Sequence, residues 1–176
     1  MTSPTTHPEA TGAGGRTEPP IDPRLLPWIA FIRAHAAVYR RLDAELETEQ
    51  ALSLPDYDAL VQLALAEGRR LRMSELAERM VLTRSGVSRL VDRLAAEGFV
   101  ERVACATDAR GAFAALTDAG FQRLRAASPT HLRGIDVHFL AGIPAADRDA
   151  FLRVLDGIMI ASTAACESGR EDPPAT

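Results

Sequence analysis

The chain contains no lysine: all 20 of its basic residues are arginine. Together with abundant alanine, this points to a GC-rich coding genome. Cysteine is scarce, with only Cys105 and Cys166, 61 positions apart. In a reducing compartment both are expected as free thiols. No His or Cys stands at ligand spacing around them, which excludes a zinc site built on this pair. No apolar run approaches the ~20 residues that span a bilayer. The start "MTSPTTHPEATGAGGRTEPP" lacks the basic and apolar regions of a secretory signal, so a cytoplasmic protein is expected. There is no glycine-rich phosphate loop and no metal signature. No nucleophile is followed by a recognisable base and orienting group. His7, His35, His131 and His138 are scattered, and the last two read as one exposed helix face. An enzyme is therefore not expected, and nothing calls for a cofactor.

What is present suits one folded domain. The 176 residues are 47% apolar, enough for a buried core. The net charge of −4 argues against a nucleic-acid partner only if charge is evenly spread. Residues 69–125 hold 11 Arg against 7 acids, or +4, and the rest holds 9 Arg against 17 acids, or −8. A local positive field is what phosphates respond to.

Residues 1–23 are rich in Pro, Gly, Ser and Thr and read as a disordered tail, as do residues 163–176. Between them, Trp28, Ile32, Ala36, Tyr39, Leu42 and Leu46 recur at helical spacing. A second helix follows over "LSLPDYDALVQLALAEG", started by Pro55 and stopped by Gly68. "FVERV" and "AFAALT" are strand candidates around the turn "ACATDARG". Thr117 caps another helix in which Pro129 predicts a kink or a break. Pro144 starts a last helix carrying Phe151, Val154, Leu155 and Ile158 on one stripe.

The stretch between these parts reads as two short helices meeting at an angle. The first runs from an N-cap at Ser74 to about Met80, and the second from Thr83 to about Glu97, where Gly98 ends it. Ala77 permits the close crossing, and Leu76, Met80, Leu82, Val87, Leu90, Val91 and Leu94 plug it. Val81 stands where many such turns carry glycine. On the outer face of the second helix lie Ser85, Ser88, Arg89, Asp92 and Arg93. Small residues let a helix enter the major groove, arginine pairs with guanine, and hydroxyls bond base edges or phosphate. The DNA contacts expected are Thr83, Arg84, Ser85, Ser88, Arg89, Arg93 and, at the hairpin tip, Arg110. Asp108 is expected to pair with Arg102 and hold the hairpin.

The run "SELAERMVLTRSGVSRLVDRLAAEGFVERVACATDARGAFAALTDAG" resembles the winged helix-turn-helix core of MarR-family transcription regulators. The resemblance is carried by "SRLVDRLAAEGFVER", the Asp-x-Arg wing "DARG" and "LTDAG" opening the next helix. It is dense over residues 73–120 and extends in helix order to residues 24–162. Gly111 after the wing arginine, and Ala109 where the family often has a second arginine, depart from the pattern. The resemblance implies a mainly α fold with a small β-hairpin wing. A DNA-binding lobe would cover about 55–120, with dimerisation helices at about 24–50 and 121–162. It also implies a homodimer that binds a palindromic operator in double-stranded DNA as a repressor. Relief by a small aromatic or phenolic effector is part of the same implication.

Trp28, His35, Tyr39 and Asp58, on the first two helices, are the candidate effector residues. Cys105, close in sequence to Arg102 and Arg110, is the candidate for thiol-based redox sensing, against the plainer reading of an inert small residue. A further alternative is a winged helix serving only as a protein-interaction module. That module has no need of outward-facing Ser85, Ser88, Arg89 and Arg110.

Overall fold

Periodic apolar residues and local caps build six helices and three short strands among the described residues, 22–104 and 112–168 (backbone alone for 163–168), of the computed structural model. The helices are α1 (Leu26–Gln50), α2 (Leu54–Leu65), α3 (Met73–Arg79), α4 (Arg84–Ala96), α5 (Asp118–His138) and α6 (Arg148–Ser168). The strands are β1 (Arg70–Arg72), β2 (Val100–Ala104) and β3 (Ala112–Leu116), antiparallel in the order β1-β3-β2. Among the described residues, no helix is long and apolar enough to cross a membrane.

The chain divides into two compact units, Met1–Ala34 and His35–Thr176, with the boundary inside α1. In the first, Asp22 caps a 3-10 turn at Pro23–Leu25, and the rings of Trp28 and Phe31 lie 6.2 Å apart. Leu25, Leu26, Trp28, Phe31 and Ile32 are exposed.

The second unit holds the core. Leu46, Leu60, Leu63, Leu76, Val87, Val91 and Leu94 are fully buried. Each such side chain contributes about 1.5–3 kcal/mol by leaving water. Caps set where the helices begin. Ser53 accepts from the Asp56 amide, Thr83 from the Gly86 amide at 3.1 Å, and Thr117 from the Gly120 amide at 3.0 Å. Two glycines are required by geometry. Gly98 ends α4 at φ +76°, and at Gly120 a Cβ would sit 2.0 Å from the Phe99 carbonyl oxygen. The start of α5 is pressed against that carbonyl, which also accepts from the Thr117 amide at 3.1 Å.

Several expectations need correction. The N-cap of α3 is Arg72, not Ser74: the Glu75 carboxylate accepts from the Arg72 amide at 3.0 Å, so Ser74 lies inside the first turn. Of the kink or break expected at Pro129, the break does not occur: α5 runs through it as one helix. Nearby, the Ser128 hydroxyl donates to the Leu124 carbonyl at 2.8 Å. Helix α6 begins at Arg148, after a 3-10 turn at Ala145–Asp147, and its backbone continues to Ser168, into the expected tail. The hairpin has a third strand, β1, too short at three residues to show a period of two. His131 and His138 do not form an exposed face. His131 stacks on Tyr57 with ring centroids 4.4 Å apart, and His138 Nε2 lies 2.6 Å from Glu45 Oε1.

Candidate nucleic-acid interface

Helix α4 presents two faces of opposite chemistry. Val87, Leu90, Val91 and Leu94 are buried, while Thr83, Arg84, Ser85 and Arg89 are exposed. Ala77 of α3, expected at the crossing, is buried. The turn between the helices places Val81 at φ +53°, in the left-handed region, with its side chain 91% exposed. A β-branched residue there is strained by about 1–2 kcal/mol. The following Leu82 amide donates to the Ala77 carbonyl at 3.0 Å, holding the turn closed.

The polar face is not uniformly available. Arg84 and Arg89 form no ion pair among the described residues, so their guanidinium groups stand ready for an anionic partner. Thr83 Oγ1 and Ser85 Oγ lie 3.2 Å apart at the first turn. Arg93, in contrast, is committed: Nε and Nη2 donate to the two carboxylate oxygens of Asp56 at 3.2 and 2.5 Å. This fork-on-fork pairing raises the already high pKa of Arg93. Asp56 is buried near the start of α2, where its Oδ2 also accepts from Ser53 Oγ at 2.6 Å. Arg93 therefore joins α4 to α2, a role its sequence position on the helical wheel did not show. The signal was present in "SLPD", whose Ser-x-x-Asp spacing marks a capped start and places a carboxylate at the third helical position.

Arg102 is tied to α4 as well. It lies on β2, where its Nη2 donates to Ser88 Oγ at 2.9 Å and to the Ser88 carbonyl at 3.2 Å and forms an ion pair with Asp92 Oδ1 at 2.8 Å. Its recorded partners are thus on α4. The expected partner Asp108 lies outside the described residues, together with Arg110, Cys105, Ala109 and Gly111. Ser88 is half-buried beneath this contact, and Asp92 is ion-paired instead of merely solvated.

Strand β1 contributes basic residues that the sequence reading missed. Arg70 and Arg72 place their guanidinium carbons 5.5 and 5.2 Å from the Phe113 ring centroid on β3. Arg69 lies 4.0 Å from the Phe121 ring centroid and 3.4 Å from Asp118. These contacts spread positive charge along the sheet edge beside α3.

The candidate effector residues fall in both units. Trp28 belongs to the first, where it is exposed. In the second, His35 and Tyr39 stack with centroids 6.0 Å apart. Burial, and then the carboxylates of Asp43 and Asp58, push the Tyr39 phenol up. The structure therefore brings Tyr39 within electrostatic reach of Asp58. His131 stands near the same carboxylate, with Nδ1 buried and without a hydrogen-bond partner among the described residues. Burial pushes its pKa down, and Asp58 opposes that shift. Among the described residues no group of three or more His, Cys, Asp or Glu could hold a metal.

Comparison with known proteins fits this geometry. A MarR-family profile matches residues 52–111. No curated protein sequence matches the chain. Among solved structures, AbsC, a MarR-family transcriptional regulator from Streptomyces coelicolor, is 28% identical with a TM-score of 0.74, covering 84% of this chain and 99% of its own. Sco3205 from the same organism, a MarR-family transcriptional regulator solved in complex with DNA, is 33% identical with a TM-score of 0.71, over 76% of this chain and 87% of its own. The PcaV transcriptional regulator of that organism, solved with its natural ligand, is 26% identical with a TM-score of 0.65, over 82% and 99%. With a capped α4 whose outer face is cationic, a three-stranded sheet behind it and these likenesses, the chain belongs to the MarR family and is a DNA-binding transcriptional regulator.

Proposed function

We propose that the chain is a ligand-responsive repressor acting as a homodimer on a palindromic operator. The observation that carries DNA reading is the exposed first half of α4, where Arg84 and Arg89 are unpaired among the described residues. Arginine there can reach the edge of guanine, and Thr83 and Ser85 can bond phosphate or bases. Arg110 would add a wing contact. Arg93 is removed from the contact set, since Asp56 occupies its guanidinium. Two copies related by a dyad would place their α4 helices one turn of DNA apart, about 34–36 Å, which calls for a palindrome. The dimer is supported by exposed apolar residues along α6, and the ligand response by the relative solved with a natural ligand. Tyr39 and Asp58, with His35, are the residues proposed for the effector, and the cytoplasm is the proposed location.

The test is binding to duplex DNA from the region upstream of the chain's own gene. Affinity should fall steeply with salt, as counterions are released from neutralised phosphates. Arg89→Ala should lose about 1–3 kcal/mol of discrimination against a mismatched base in a competition assay. No binding, or binding indifferent to salt, would favour a protein-interaction module instead.

A further inference from the structure

We propose that Arg102 is a positioning residue for DNA recognition, which locks wing strand β2 onto α4 and fixes the Ser88 hydroxyl as a hydrogen-bond donor toward DNA. The proposal rests on the reading of α4 as the DNA-reading helix and concerns a residue that need not touch DNA itself.

The register of the sheet explains why Arg102 can do this. Arg102 pairs with Ala114, and Val100 with Leu116, so alternation puts Arg102 on the sheet face shared with buried Val100 and Ala114. That face packs against α4. Its guanidinium therefore emerges at the margin of the core, directly over the helix. All three recorded contacts converge on one nitrogen, at 2.8 Å to Asp92 Oδ1, 2.9 Å to Ser88 Oγ and 3.2 Å to the Ser88 carbonyl. Ser88 and Asp92 are four residues apart, hence stacked on one face of α4. A single cation thus grips one full turn of the helix. On the adjoining side Arg93, next in sequence to Asp92, is held by Asp56 of α2. Two neighbouring residues tie α4 to two different elements, and its rotation about its own axis is set from both sides.

The consequence for Ser88 is chemical. A serine hydroxyl offers one proton and two lone pairs. Arg102 donates to that oxygen, and a charged donor polarises the hydroxyl so that its own proton is given more readily. No bond donated by the Ser88 hydroxyl is recorded among the described residues. Ser88 lies one turn beyond Arg84 and Ser85, on the cationic face. Its proton is suited to an acceptor on DNA: a phosphate oxygen, or guanine N7 and O6, adenine N7 or thymine O4 in the major groove. Cytosine N4 and adenine N6 offer only donors and would be disfavoured.

The experiment selects sequences from a randomised 20-bp duplex pool with the full-length protein and then measures the affinity of variants for the selected duplex. Arg102→Ala should weaken binding about threefold to thirtyfold. The slope of affinity against salt should stay unchanged, because Arg102 itself neutralises no phosphate and a serine hydroxyl carries no charge. Ser88→Ala should weaken binding too, and Arg102→Ala with Ser88→Ala together should be no worse than Arg102→Ala alone. Arg102→Lys should restore most of the affinity, since one ammonium carries three protons for the three acceptors. Thermal melting of each variant separates these effects from loss of fold. Loss of preference at one base position places the acceptor of Ser88 on a base edge, and an even loss across selected sequences places it on phosphate. Additive losses, a salt slope reduced by about one, or Arg102→Lys binding no better than Arg102→Ala overturns the proposal while leaving α4 as the reader. A parent protein that selects no sequence overturns both.

Discussion

In α4 the apolar stripe Val87, Leu90, Val91 and Leu94 is at most 4% exposed, whereas in α6 Leu152, Val154, Ile158, Met159 and Ile160 are each 54–68% exposed. Both helices are amphipathic, and periodicity alone treats them alike. The difference is that α4 finds its cover inside the chain, against α2, α3 and the sheet. On the expected stripe of α6, Phe151 and Leu155 are half-buried while Val154 and Ile158 stay exposed. A helix draws most of its stability from packing of its apolar face. Helix α4 is thus fixed within the chain, while α6 leaves large apolar residues exposed.

Substitutions can break this contrast in order of size. Leu94→Ala should cost about 2–5 kcal/mol in urea unfolding, through lost burial and the cavity left behind. A loss under ~1 kcal/mol would show that the core around α4 is looser than its burial implies. Ile158→Asp should leave the urea midpoint of the lobe nearly in place and convert a dimer to a monomer in sedimentation at micromolar concentration. A dimer that persists would mean that α6 is not covered by a second copy.

The seam between α2 and α5 is intermediate, and His131 reports on it. Burial holds its imidazole below the ordinary pKa, so the unfolded chain binds a proton that the folded chain resists. Its contribution to stability is complete above about pH 6.5 and falls as the pH drops below that value. Replacing it by His131→Phe should flatten this fall in pH-dependent urea titrations, and an unchanged slope would assign the pH dependence to other groups. The smallest effect is at the turn before α4. Val81→Gly should raise stability by about 0.5–1 kcal/mol, relief of left-handed strain being offset in part by backbone entropy. A destabilised variant would show that exposed Val81 makes contacts worth more than its strain.

Local chemistry was legible in the sequence where cause and effect lie within one or two turns. Thr83 and Thr117 cap the helices they were expected to cap, and Gly98 ends α4 in the left-handed conformation. The buried stripe of α4 follows from its spacing. Ser74 misled because a good capping residue inside the first turn of a helix looks the same as one at its start. Only the position of Glu75 relative to the Arg72 amide decides between them. Pro129 removes one backbone donor from α5 without ending the helix, so its presence alone does not mark a boundary.

The candidate site divides along the same line. Sequence periodicity by itself determined which face of α4 is apolar and which is cationic, because a helix repeats every 3.6 residues wherever it is placed. Membership in the MarR family was also carried by the motif-bearing residues 73–120. Only the tertiary structure decided which of the cations on that face are free. Arg84, Arg89 and Arg93 all lie off the apolar stripe on a helical wheel, yet Asp56, 37 positions earlier, claims Arg93. Arg102 turns to Ser88 and Asp92, 14 and 10 positions before it. Ion pairs form between groups that folding brings within a few ångströms, and the order of residues along the chain carries no record of that distance until strands and helices have packed.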